Sequence, residues 1–141
     1  SLQNAIINIA SIGISLNPAL KHAYLVPRSM GRDKPTAVCL DISYQGLIHL
    51  ATQSGAILWG QAKLVYQSDK YTNTGIDKAP IHEQDTFGDK GPVVGVYCTV
   101  KTTSCDFLTE EMDKAAILKI QHSSKASNGT WKTWWDEMAR I

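Results

Sequence analysis

Thr36-Ala37-Val38-Cys39-Leu40-Asp41-Ile42-Ser43-Tyr44-Gln45-Gly46-Leu47-Ile48-His49-Leu50-Ala51 changes its hydrophobic period part-way. Up to Ile42, Val38, Leu40 and Ile42 fall on one face and Ala37, Cys39 and Asp41 on the other, which is the alternation of a half-buried strand. From Tyr44 the apolar residues recur at Tyr44, Leu47, Ile48 and Ala51, which is helical spacing. Ser43 stands at the junction, where a hydroxyl can cap the first turn, and Gly55 supplies the stop. Upstream, His22 to Val26 reads as a second short strand ending at Pro27. Between them, Arg28 to Pro35 holds Gly31, Asp33 and Pro35 and reads as the exposed connection of a hairpin.

Working outward, Leu2, Ala5, Ile6 and Ile9 predict a helix over 2–12, stopped at Gly13 and followed by a turn at Asn17-Pro18. Leu58 to Gln67 and Val93 to Lys101 alternate as strands; in the second, Val94, Val96, Cys98 and Val100 are expected inward and Tyr97, Thr99 and Lys101 outward. Ser68 to Gly91 is polar and reads as loop with one short strand near Tyr71. Cys105 to Leu108 is the expected hairpin partner of the 93–101 strand. Thr109 is then expected to cap a helix through about Gln121, with Glu110, Glu111 and Asp113 in its first turn. Ser123 to Gly129 is a polar loop, and Trp131, Trp134, Trp135, Met138 and Ile141 fall on one face of a last helix. The order predicts an α+β fold: an antiparallel meander sheet with a β-hairpin, packed against helices on one side.

The 141 residues are 43% hydrophobic and 19% charged, which excludes a charge-driven disordered chain and predicts one domain over 1–141. The first residue is not Met and Ile141 falls inside a helical pattern, so a core truncated at both ends is expected. Cys39, Cys98 and Cys105 form no CxxC pair, so reduced thiols are expected, not a disulfide framework or a cysteine zinc site. There is no signal-peptide pattern and no apolar run of membrane-spanning length, so a cytoplasmic protein without a membrane is expected.

Enzyme motifs fail. The sequence has no GxGxxG, no GxxxxGK[ST], no HExxH and no GxSxG. His82-Glu83-Gln84-Asp85 groups titratable side chains, but in a loop they read as a solvated acidic stretch; a small hydrolase using His82 and Asp85 is the alternative. His22 and His49 read as structural. Asn128-Gly129-Thr130 matches a glycosylation sequon, and reads better as a turn feeding a helix.

Charge placement says more than the net charge of +1. Lys21, His22, Arg28, Arg32 and Lys34 surround the first hairpin, opposed in sequence by Asp33, whereas Asp77 through Asp113 are mostly acidic. A phosphate-binding groove and a solvated hairpin with protective charges fit this equally. At the other end, Trp135 and Met138 are assigned to packing, and Trp131 and Trp134 are left between core and base stacking, with Lys125, Lys132 and Arg140 as nearby charge.

Three blocks, in order, carry a family resemblance. Leu20-Lys21-His22-Ala23-Tyr24-Leu25-Val26-Pro27 resembles the conserved hairpin of the RecT/Red beta phage single-strand annealing proteins. Ser43 through Ala51, closed by Ser54-Gly55, resembles that family's Gly-Tyr-basic-Gly-aliphatic-Ile-x-Leu-Ala helix start. Ser124-Lys125 through Trp131 to Glu137-Met138-Ala139-Arg140 resembles its Gly-x-Trp…Met-Ala-basic segment, closest to the RecT branch. The resemblance implies a core like that of single-strand annealing proteins, including the eukaryotic Rad group. It implies ATP-independent binding of single-stranded DNA and annealing of complementary strands in phage recombination, with no bond-making catalysis and no cofactor. Further implied are rings or filaments of a homo-oligomer in a bacterial host, and work beside a 5′→3′ exonuclease and the host single-strand-binding protein, through regions beyond this chain.

Carried over by position, the resemblance implies DNA contacts at Lys21, Arg28, Arg32, Tyr44, Trp131 and Arg140; charge placement adds Lys34, Lys125 and Lys132 to the expected contacts, and Gln45 joins them because its amide can hydrogen-bond a phosphate or base. Gln45 and Ser43 depart from the pattern, which has a basic residue and a Gly there. The competing reading is a protein-interaction module without a nucleic-acid role. Salt separates the two, since phosphate contacts weaken steeply as salt rises.

Overall fold

The computed structural model describes residues 2–124 and 129–141. The chain divides at Ser54/Gly55 into two units. The first begins with α1 (Leu2–Ile12), the helix the apolar spacing predicts, and it ends where Gly13 takes φ +72°. Ala5 and Ile9, one turn apart, are its buried residues, and α1 packs on β2. β1 (Ala23–Arg28) and β2 (Ala37–Ile42) pair antiparallel in a two-stranded sheet, in register from Ala23 opposite Ile42 to Arg28 opposite Ala37. Pro27 lies inside β1, one residue beyond the expected strand end. α2 (Tyr44–Gln53) follows after the single residue Ser43, whose side chain accepts from the Gly46 N–H as the expected cap. The buried residue of α2 is Gly46, and Leu47 from the expected stripe is 45% exposed.

The second unit is built on a sheet in the order β3-β6-β7, all antiparallel: β3 (Ile57–Tyr66), β6 (Val93–Thr102) and β7 (Phe107–Asp113). Between β3 and β6 the chain makes a separate ribbon of β4 (Lys70–Thr72) and β5 (Ile81–Glu83). Then come α3 (Lys114–Ser123), α4 (Thr130–Thr133) and α5 (Trp135–Arg140). Leu64, Val96, Ile117 and Trp131 form its core, with Tyr66, Val93, Met112, Trp135 and Met138 packed around them. The helices therefore cover the Leu64/Val96 face. The α+β class of antiparallel sheets packed with helices is as expected.

Three sequence expectations fail here for identifiable reasons. The helix expected from Thr109 begins only at Lys114, because β7 runs on to Asp113 in register with β6, ending at Gly95 opposite Asp113. The cap is Asp113, which accepts from the Ala116 N–H at 2.7 Å. Acidic residues that read as a helix start are thus edge-strand residues. Second, Val96 is buried as expected, but Tyr97 and Thr99, expected outward, are buried too, at 7% and 3% exposure, and Val94 on the expected inner face is 43% exposed. The β4–β5 ribbon covers Tyr97, on which Tyr71 and His82 pack their rings, and Thr99 pairs its hydroxyl with that of Thr109 at 3.0 Å. Third, the last helix is two short ones, broken at Trp134 (φ −128°, ψ 45°). The break sends Trp131 into the core and leaves Trp134 61% exposed. Among the described residues no helix is long and apolar enough to cross a membrane.

Candidate nucleic-acid interface

Six of the ten expected DNA-contacting residues lie in residues 1–54, which carry four Lys and Arg against two Asp; residues 55–141 carry ten against eleven Asp and Glu. Arg32 and Lys34 are exposed in the eight-residue connection of the β1–β2 hairpin. Arg28, at the end of β1, holds the Asp41 carboxylate of β2 with its Nη2. That pair corrects the view that the hairpin cations meet only Asp33. A partly exposed ion pair of this kind is weak, so a phosphate can compete for the guanidinium.

The start of the hairpin is tied to α2. Lys21 is exposed and takes φ +51°. Ser43 Oγ donates to the Lys21 carbonyl, and the Ser43 N–H donates to the His22 carbonyl at 2.9 Å. The rings of His22 and His49 stack at 4.2 Å between centroids, 27° from parallel. Burial, and then the nearby charge of His49, push the His22 pKa below its ordinary value. Tyr44 and Gln45 open α2 half-buried, and Gln45 Nε2 donates to Tyr44 Oη at 3.1 Å.

In residues 55–141, Lys132 is exposed on α4, and Arg140 in the last turn of α5 donates to Glu137 Oε1 at 3.5 Å. Trp131, expected among the DNA-contacting aromatics, is 4% exposed in the core. Its faces are taken by packing, which leaves none for a base to stack on. Trp135 and Met138 pack as expected, and Trp135 Nε1 donates to Gln121 at 3.2 Å. Lys125 and Asn128 lie outside the described residues.

A model of the RecT family matches residues 2–140. This chain belongs to the RecT family. It is 34% identical over 144 residues to Protein RecT of Escherichia coli (strain K12), an alignment that takes in 99% of this chain and 53% of that protein. The chain thus spans about half the length of its curated relative.

Within this RecT-family chain, the second motif block has a structural task. A Cβ at Gly46 would overlap the His22 carbonyl oxygen and come within 2.9 Å of Ile42 Cγ2, so the helix lies against the hairpin only with glycine there. Ser43 is 7% exposed and is the cap.

The sequence reading missed one cluster. His82, expected in a solvated loop, has a side chain only 6% exposed. Its Nε2 meets Asp69 Oδ2 at 2.9 Å and its Nδ1 meets Tyr97 Oη at 3.0 Å. Asp85, its expected partner in the hydrolase reading, instead accepts from the Phe87 and Gly88 N–H groups of its own turn. Burial pushes the Asp69 carboxyl up, but the Tyr66 N–H, His82 and Gln84 hydrogen bonds outweigh it and hold its pKa below the ordinary value. Tyr71 Oη donates to Glu111 Oε1 at 2.6 Å, and burial and that carboxylate push its pKa up. The His82 ring and Asp69 Oδ2 are satisfied within the cluster, while the buried Asp69 Oδ1 has no hydrogen-bond partner among the described residues. It pins the β4–β5 ribbon to the sheet. The clue available in the sequence was Tyr71 and His82, eleven apart on either side of a turn-rich stretch and so able to pair.

On the other face, Cys98, Val100, Leu108 and Glu110 line an open groove of about 770 Å³ with Asn73 and Ile76. The Glu110 carboxylate makes it a poor place for phosphate. Among the described residues, no group of three His, Cys, Asp or Glu is placed to hold a metal ion.

Proposed function

We propose that this chain binds single-stranded DNA without ATP and promotes annealing of complementary strands in recombination. The observation that carries the reading is the family match along residues 2–140. The exposed cations of the β1–β2 hairpin support it. Lys21, Arg28, Arg32 and Lys34 neutralise phosphates on one side of a strand, with Lys132 and Arg140 as further cations. Contacts go to the backbone, so that any sequence is held and base edges stay available for pairing. Gln45 hydrogen-bonds a phosphate or base once it leaves Tyr44 Oη. Each contact is weak, and copies of the chain in a ring or filament make them add along the strand. Holding geometry is the whole of the task, so no residue is assigned a bond-making role. The setting is the cytoplasm of a bacterial host.

The test is annealing of two complementary fluorescent oligonucleotides without ATP, at low and high salt. Acceleration that fades with salt is expected, since every phosphate neutralised on a single strand adds about 0.7 to the steepness of log K against log salt. Charge reversal at Arg28, Arg32 and Lys132 is expected to abolish it. Normal annealing by that variant would remove these residues from the interface. No acceleration and no binding at low salt would favour a protein-interaction module instead.

A further inference from the structure

Lys21 sits in a conformation that its side chain does not favour. At φ +51° it lies in the left-handed region, where a Cβ crowds the backbone and Gly or Asn is the usual occupant. Burial does not call for lysine there, because the residue is exposed. A charged side chain therefore occupies a position where the backbone alone would select glycine. An observed outlier of this kind is grounds for a functional hypothesis.

What holds the conformation is the first turn of α2. Ser43 Oγ donates to the Lys21 carbonyl while accepting from the Gly46 N–H at 3.1 Å. The Ser43 N–H takes the next carbonyl, that of His22. Gly46 lets the helix close on that same carbonyl, where a Cβ has no room. The His22–His49 stack lies one turn further along. Two successive carbonyls after the Lys21 φ rotation are thus fixed by one buried hydroxyl, one N–H and one missing Cβ.

We propose that Ser43 and Gly46 are positioning residues for Lys21, fixing its left-handed backbone so that its ammonium is held ready for a DNA phosphate. The proposal rests on the single-strand-binding reading. It assigns the Ser and Gly of the second block to presentation of a cation on the hairpin, in addition to starting a helix.

Salt-dependent binding of a fluorescent poly-thymidine oligonucleotide tests it, alongside thermal unfolding. Lys21→Gly relieves the backbone and removes the charge. Its melting temperature is expected to be unchanged or higher, its affinity at low salt to fall several-fold, and its log–log salt slope to drop by about 0.7, the share of one single-strand phosphate. Ser43→Ala, measured where it is folded, is expected to lose the same part of the slope, and Ser43→Thr, which keeps the hydroxyl, to restore it. The Lys21→Gly/Ser43→Ala double variant is expected to lose no more slope than Lys21→Gly alone. Gly46→Ala is a harsher probe that threatens folding, so the Ser43 pair carries the test. A Ser43→Ala protein that is less stable but keeps the wild-type slope overturns the positioning role. Wild-type binding by Lys21→Gly, with loss on Arg32→Ala or Lys34→Ala, overturns it while leaving the DNA reading intact. Salt-independent or absent binding by the unsubstituted chain overturns that reading, and the clamp's purpose with it.

Discussion

His22 and His82 are both withdrawn from solvent, one in each unit, and they are treated in opposite ways. His82 meets a carboxylate on one nitrogen and a phenol on the other. His22 stacks on a second imidazole, and its buried Nδ1 has no hydrogen-bond partner among the described residues. The first arrangement satisfies every polar group on the ring and locks a ribbon to a sheet. The second leaves a donor or acceptor uncompensated in a junction that holds the proposed DNA-facing lysine. A buried polar group without a partner is destabilising. The contrast therefore lies in the rings themselves: one imidazole is fixed by hydrogen bonds on both nitrogens and the other by stacking, while buried polar atoms without a partner among the described residues, His22 Nδ1 and Asp69 Oδ1, occur beside both.

The largest expected effect breaks the unit that holds His82. Trp131→Ala empties the centre of the Leu64/Val96/Ile117 core and is expected to cost about 4 kcal/mol in urea unfolding. Trp131→Phe, which also removes an indole N–H without a partner among the described residues, is expected to cost under about 1.5 kcal/mol. Next, Asp69→Ala strips His82, Gln84 and the Tyr66 N–H of their shared acceptor, and about 3 kcal/mol is expected. Hydrogen exchange that rises over residues 67–92 is the check; protection there like the wild type would mean that the ribbon is held by something else.

A pH series sharpens the comparison. The folded His22 pKa is lowered, so the unfolded chain binds the proton more readily, and stability is lost as pH falls through the ordinary histidine value near 6.5. The folded Asp69 pKa is also lowered, so its contribution is present above the ordinary aspartate value of 3.8 and is lost as pH falls through the folded one. Exchange measured from pH 7.5 to pH 3 is expected to loosen residues 20–54 first and the β4–β5 ribbon only in stronger acid. The charged and titratable groups on the elements beside His22 are Lys21, Tyr24, Arg28, Cys39, Asp41, Tyr44 and His49, and α1 carries none. His49→Phe keeps a ring for stacking and removes the competing charge, so the first step should shrink. An unchanged first step assigns it to another group. Smallest of all, Arg28→Ala is expected to change stability by less than about 1 kcal/mol, since its pair with Asp41 is partly exposed.

How much of this was legible in the sequence varies by region. The hairpin, Ser43 as cap, α2 and the stop at Gly55 follow from a local change of period and from single-residue chemistry, and the structure keeps them within a residue or two. The candidate cations Lys21, Arg32 and Lys34 were legible because exposed charge in a turn-rich connection needs no partner to be recognised. Arg28 was legible as a cation but not as half of a pair, because Asp41 is thirteen residues away. Thr109 to Asp113 misled because acidic residues favour both a helix start and a polar edge strand, and only the ladder with β6 decides between them.

The sequence by itself determined the class of fold, the family blocks and the concentration of cations around the first hairpin, since periodicity, capping and charge are local properties. Tertiary structure decided which tryptophan is core, which histidine has a carboxylate, and that Tyr97 and Thr99 face a covered side of the sheet. It also decided why residue 46 must be glycine, since the atom that a Cβ would meet belongs to a residue on another element. Those outcomes depend on contacts between residues distant in the chain, and no local pattern encodes which partner will arrive.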